Sequence, residues 1–506
     1  MSNVFDAASR GPARSKAAPV SVDVRLDQHF TARVYTSGST VRGSVSIVCQ
    51  RDTPFESVDV VLIGTTATRL DFVQSYTSSA VRNFIKMRMP IAADALPRHR
   101  TLEAGRTYAV PFDFVVPHQL TVNACDHGCT APAVQDQHLR LPPTLGYWDG
   151  DDQAPNVTHV EYAVRARLFG AASRTTTTTA AAAAIETPLL AEAKKIIKVL
   201  PASPEEPPLA VTRHDERYCL VKTKPIRKNL VGPKAGELTV EAAQPRALMI
   251  HPDGFGANPT EATVRLRWTA SASAADADAP PPPKIHSVAS KLVSTTFFGS
   301  APSSVLPNLG PKTTYTHNQI LSYSVTTNLA TTRPDRLAWS VEQSRRDSGY
   351  MSGSSPDAAA ASAAAATTAT KMKGSSSSSS RSRSYSASID IPVSVPISNK
   401  KAFVPTFYNC LISRTYTLQL VLSVGPANTT LTLNVPLQLG VESRVGDPAG
   451  GPDALPSFES AVAQDEEAEA DEYLRPRIIR QPRGPAQMTG SLPGYGDVTG
   501  RSVAAY

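Results

Sequence analysis

Residues 416–437 read YTLQLVLSVGPANTTLTLNVPL and hold the two clearest strands of the chain. Tyr416, Leu418, Leu420, Leu422 and Val424 recur at every second position, Gly425 to Asn428 supply turn residues, and Leu431, Leu433, Val435 and Leu437 run back. A period of two puts one apolar row on one face of a strand, and a short Gly/Pro/Asn turn between two such rows makes them antiparallel neighbours. The same period occurs at Val22, Val24 and Leu26, at Val45, Ile47 and Cys49, and at Val58, Val60 and Leu62. It returns at Tyr108, Val110, Phe112 and Phe114, at Val160, Tyr162, Val164, Ala166 and Leu168, and at Val264, Leu266 and Trp268. Short alternating strands separated by turn residues, without helical periods between them, predict an all-β chain of antiparallel sheets packed as sandwiches.

With 506 residues, the chain exceeds what one core usually supports, so two globular bodies are expected. Its 42 prolines and low aromatic content (6%) predict that part of it is extended. Residues 1–20 read as a disordered N-terminus, and 21–203 as a first β lobe carrying a low-complexity Thr/Ala loop at 171–190. Within 191–200 either a closing strand or a helix fits, with the strand favoured, and Pro201–Pro208 reads as a linker. Residues 204–445 form a second β lobe with disordered insertions at 270–284 and 343–388, its apolar period resuming at Ile389. Residues 446–506 read as a disordered tail.

The net charge of +7 is small for this length, and no basic stripe interleaved with aromatics marks a nucleic-acid groove. Five cysteines, an odd number widely spread, argue for reduced thiols rather than a disulfide framework. No signal-peptide pattern or long apolar run is present, which predicts a soluble, cytoplasmic protein.

Several segments together resemble the arrestin superfamily, particularly fungal α-arrestin-like trafficking adaptors. They are YAVPFDFVVP at 108–117, CDH at 125–127, HLRLPPTLGYW at 138–148, GELTV at 236–240 and VPTFYNCLISRTYTLQLVL at 404–422. The resemblance covers about residues 21 to 440 and implies two tandem arrestin-like, immunoglobulin-type β-sandwich lobes with no reaction of their own. It also implies binding to cytoplasmic tails of membrane transporters or receptors, with peripheral recruitment to the plasma membrane or endosomes. The Thr, Ala and Ser tracts lengthen loops relative to the family, and the buried charged switch of the visual arrestins has no legible counterpart.

In the tail, Leu492, Pro493, Gly494 and Tyr495 resemble the Leu/Pro-Pro-x-Tyr ligand of WW domains, carried by HECT-type ubiquitin ligases. A segment already extended like polyproline docks its ring between aromatics while the tyrosine fills a second slot. Leu455, Pro456 and Phe458 form a weaker relative without the phenolic hydroxyl. Accidental tail sequence is the plain alternative for both. Lys222, Lys224, Arg227 and Lys228 form a local basic patch suited to anionic lipid or phosphorylated tails, although solvated strand ends explain it equally well.

Cys125, His127 and Cys129, with His118 and His138 nearby, carry zinc-type donors. Their spacing is irregular for a finger, and an extended Cys-x-His-x-Cys would point alternate side chains to opposite sides. A plain inter-strand loop is therefore expected, with no metal and no cofactor. No catalytic motif is legible, so a non-enzymatic adaptor is expected. The rivals are a ligase-independent scaffold in endosomal sorting or signalling, and an enzyme with its site in the Cys125–His138 loop.

Overall fold

The computed structural model describes residues 19–70, 79–92, 94–171, 187–229, 232–271, 280–311, 320–334, 336–342 and 384–443. The chain is all-β in character. The principal strands of its first half are β1 (Val20–Leu26), β2 (Thr40–Cys49), β3 (Thr53–Arg69), β4 (Ser79–Arg88), β5 (Thr107–Val115), β6 (Thr158–Gly170) and β7 (Leu189–Val199). One short α-helix, α1 (Pro132–His138), lies between β5 and β6. In the second half come β8 (Val221–Arg227), β9 (Lys234–Ala242), β10 (Thr260–Ala270), β11 (Ile285–Phe298), β12 (Leu321–Thr332), β13 (Ser384–Val393), β14 (Ile412–Val424) and β15 (Thr429–Leu437).

Two sheets face each other in the first half, one in the order β1-β2-β5 and one built on β7-β6-β3-β4. Along β5 exposed and buried residues alternate strictly. Val45 and Ile47 of β2 and Val110, Phe112 and Phe114 of β5 meet Val60 and Leu62 of β3 and Val164 and Leu168 of β6 in one core. The second half repeats this scheme. A sheet in the order β8-β9-β10-β13 faces one in which β11 and β14 pair centrally and β15 pairs with β14. Leu238, Val240, Leu266, Trp268 and Ile391 pack there against Leu292, Leu418, Leu420, Leu431 and Leu433.

The 416–437 hairpin folds as its period requires, with Tyr416 opposite Leu437 and Val424 opposite Thr429. Gly425 (φ 68°) and Asn428 (φ 48°) take the left-handed conformations that close it. Residues 191–199 belong to a strand, β7, not to a helix. Its start at Leu189 falls inside the expected 171–190 loop, because its backbone extends the pairing with β6 out to Phe169.

A second correction concerns the serine tract. The sheet resumes at Ser384, not Ile389, so residues 384–388 are a strand and not part of the 343–388 insertion. Ser384, Ser386 and Ser388 pair with Thr269, Arg267 and Arg265, while Tyr385 and Ala387 pack on the second core. Backbone pairing is indifferent to the small side chains that hid the period. Likewise β10 continues to Ala270, the first residue of the expected 270–284 insertion, and β1 starts at Val20.

The expected linker is docked rather than free. Ser203 and Val441 exchange backbone hydrogen bonds of 3.1 and 2.9 Å, and the Ala247 amide donates to the Glu205 carboxylate at 2.9 Å. The cores also exchange residues. Val34 and Leu200 belong to the second, whereas Phe298, Val404, Phe407, Leu411 and Ile412 complete the first. No described helix is long and apolar enough to cross a membrane.

Candidate functional site

The tail motif residues Leu455, Pro456, Phe458, Leu492, Pro493 and Tyr495 lie outside the described residues. The basic patch is described, and it is divided. β8 is an edge strand, where Pro225 has no N–H to miss from the ladder. Lys222 and Lys224 stand opposite buried Val240 and Leu238, on the core-facing side of β8, and the Lys224 ammonium donates to the Thr430 carbonyl at 2.9 Å. Both side chains are half-buried at this sheet edge. Arg227 and Lys228 are exposed at the end of the strand, beyond a register shift.

Two regions between the cores bring together more chemistry. The first is a buried seam. Arg414 of β14 is fully buried and donates to Thr296 Oγ1 at 2.9 Å and to the carbonyls of Asp152 and Gln153, each at 3.1 Å. A planar guanidinium satisfies three acceptors at once, which an ammonium cannot do with the same fork. The Asp152 carboxylate is spent locally, accepting from the Gly146 amide at 2.5 Å and the Ala154 amide at 3.1 Å. Burial raises its pKa, opposed by those amides and by the Arg414 charge. Asn409 and Gly299 of the second half accept from Thr66 and Thr68 of β3, at 3.3 and 2.7 Å.

Gly146, in the LPPTLG stretch, holds this turn with φ of 80°. A Cβ there would stand 2.5 Å from His159 Nδ1 and 3.2 Å from the Thr158 carbonyl. Gly146→Ala is expected to cost about 2 kcal/mol or more, from left-handed strain and overpacking together, read as a fall in the urea midpoint. A midpoint equal to that of the unsubstituted protein would refute this account of the turn.

The second region is the excursion from Val116 to Leu141. Its ends are tied by the Leu120 amide donating to the Leu139 carbonyl at 2.8 Å. Between them a 3-10 turn (Val122–Ala124) leads to Cys125, and α1, with proline in its first turn, ends at His138. The chain at 125–131 is irregular loop and bend rather than strand, so the alternation expected for an extended Cys-x-His-x-Cys does not apply. Donor atoms of Cys125, His127, Cys129 and His138 all lie within 4.8 Å of one another. Cys125 Sγ is 3.4 Å from His127 Nε2, 3.7 Å from Cys129 Sγ and 3.6 Å from His138 Nδ1, and Cys129 Sγ is 3.8 Å from His138 Nδ1. His118 is not in this set.

Around the four, Arg82 donates to the Ala124 carbonyl at 3.0 Å and pairs with Asp126 at 2.5 Å. Cys410, from the second half, packs with Cys125 and Leu139 in a small buried cluster. Burial pushes the Cys129 thiol up to about 11 and the Cys410 thiol up to about 12, with neighbouring Cys125 adding to both. Burial, aided by the charges of His127 and Arg82, holds His138 down to about 4, so its ring is neutral at pH 7. The proline at the start of α1 is the signal in the sequence that would have located this helix. Neither Arg414 nor Cys410 was singled out from the sequence, because their neighbours are distant in the chain. No family model matches the chain, and no curated protein sequence matches it.

Proposed function

We propose that the chain is an arrestin-like trafficking adaptor. In this reading its two halves are β-sandwich lobes that dock on cytoplasmic segments of a membrane-protein cargo, in the cytoplasm and at the plasma membrane or endosomes. The tail presents Tyr495 to a WW-domain HECT-type ubiquitin ligase, leading to cargo ubiquitination and endocytosis. The observation that carries the reading is where the arrestin-like segments fall. HLRLPPTLGYW at 138–148 and VPTFYNCLISRTYTLQLVL at 404–422 are remote in the chain, yet both border the seam. Arg414 of the second binds the carbonyls that follow the first, and Phe407, Leu411 and Ile412 enter the first core. Segments scattered through a chain by chance have no reason to converge on one interface.

The test is capture of the full chain by a tandem WW-domain fragment, measured as Kd. Tyr495→Ala is expected to weaken binding at least about tenfold, since a tyrosine seated in a pocket dominates such small ligands. Phe458→Ala is expected to cost about two- to threefold, through lost avidity. Undiminished binding by Tyr495→Ala would reject the ligase link and leave a ligase-independent scaffold of the same fold.

A further inference from the structure

The geometry points to a structural Zn²⁺ site formed by Cys125, His127, Cys129 and His138, two thiolates and two imidazoles gathered by the 116–141 excursion. The distances fit the ion. Four ligands at zinc's usual bond lengths of about 2.3 Å to sulfur and about 2.1 Å to nitrogen stand roughly 3.4–3.8 Å apart at tetrahedral angles. Four of the six donor separations in this cluster run from 3.4 to 3.8 Å, and all six lie within 4.8 Å. A disulfide between Cys125 and Cys129 would need their sulfurs at about 2 Å, and they stand 3.7 Å apart.

The donor chemistry narrows the metal. Paired thiolate and imidazole donors select a borderline divalent ion such as Zn²⁺ over Mg²⁺ or Ca²⁺, which take oxygen ligands. Two thiolates balance the dication, so the buried centre is neutral, as a low-dielectric pocket requires. His127 Nδ1 lies 3.3 Å from the Gly128 carbonyl, and a proton on Nδ1 leaves Nε2 to face Cys125. Cys125 and His138 are 3% and 1% exposed, and four protein donors leave no open position, which marks the site as structural rather than catalytic.

The placement indicates what the ion would do. Three ligands fall within five residues and the fourth ends α1, so the ion would fasten a segment that has little other regular structure. That segment meets the second half, where the Thr130 amide and hydroxyl both donate to the Ser304 carbonyl at 2.9 Å, and Cys410 covers Cys125. Zinc would thus hold the first half's contribution to the seam in register. This inference rests on the cluster alone and is independent of the adaptor reading.

The test uses the full chain, purified reduced and without chelator, with zinc measured by mass spectrometry of the elements. About one Zn²⁺ per chain is expected, falling below about a tenth in Cys125→Ser and His138→Ala, because loss of one ligand opens a four-coordinate site. Cys410→Ser is expected to keep its zinc. Should the ligand variants fail to fold, Co²⁺ loaded into the unsubstituted chain decides, with tetrahedral ligand-field bands and sulfur-to-cobalt charge transfer expected. Three results would overturn the assignment: a reduced chain that neither carries nor takes up Zn²⁺, an octahedral cobalt spectrum without thiolate bands, or zinc lost in Cys410→Ser and kept in His127→Ala.

Discussion

Arg414→Ala is expected to lower unfolding stability by about 3–5 kcal/mol, the range for removing one partner from a buried, hydrogen-bonded charge arrangement. The substitution leaves the carbonyls of Asp152 and Gln153 buried without their donor and takes the positive charge away from Asp152. Arg414→Met does not escape this cost, because two of the acceptors are backbone and cannot be replaced by apolar groups. Arg414→Lys keeps the charge but offers one compact ammonium where a fork spans two peptide carbonyls, so its stability should fall between those of the unsubstituted chain and Arg414→Ala. Urea denaturation gives the magnitude. Hydrogen exchange gives the location, with protection lost on both sides of the seam, at β6 and at β11. A change below about 1 kcal/mol for the alanine variant would mean that water or rearranged donors replace the guanidinium, and that the seam does not depend on it.

Trp268→Ala is expected to cost a similar amount, about 3–5 kcal/mol, by a different route and in a different place. Trp268 is the largest fully buried side chain, placed on β10 between Leu238 of β9 and Tyr385 of β13. Truncation leaves a cavity in the second core and also deprives the Pro280 carbonyl of the indole N–H, 3.2 Å away. Packing density in such a core leaves little room for collapse around the gap. Because the two cores are lined by different sheets, amide protection should fall first in β9, β10 and β13 and persist longer in β2 and β5. Equal loss in all five strands would show that the halves unfold as one cooperative unit. Comparing the two variants therefore separates damage at the seam from damage inside one half.

The strand content was legible wherever large apolar residues mark every second position. β5 and the β14–β15 hairpin are read directly from Tyr108–Phe114 and Tyr416–Leu437, because a half-buried strand must alternate. β13 was only partly legible, since Ser384, Ser386 and Ser388 carry no hydropathy contrast against Ala387. Tyr385 alone was too little to move the start from Ile389. The helix α1 is two turns long and has no apolar stripe, so only its proline marked it.

The Cys/His cluster was legible as a set of residue types but not as a site. Spacing along the chain states which donors are near in sequence, and an extended conformation would have kept them apart. A 3-10 turn, a loop without strand geometry and α1 together bring His138 across eight intervening residues to Cys129 and across twelve to Cys125. Arg414 and Cys410 carried no sequence signal, since an arginine within a strand is usually solvated and a lone cysteine is usually packing.

By itself the sequence determined the local conformations and the antiparallel pairing across the shortest turn, because hydrophobic period and turn chemistry act over a few residues. Tertiary structure alone decided which polar groups became buried together: Arg414 over residues 152 and 153, the docking of Ser203 on Val441, and two thiols meeting two imidazoles. Those groupings depend on distances closed by long loops, whose cost and outcome are set by the packing of whole sheets rather than by neighbours along the chain.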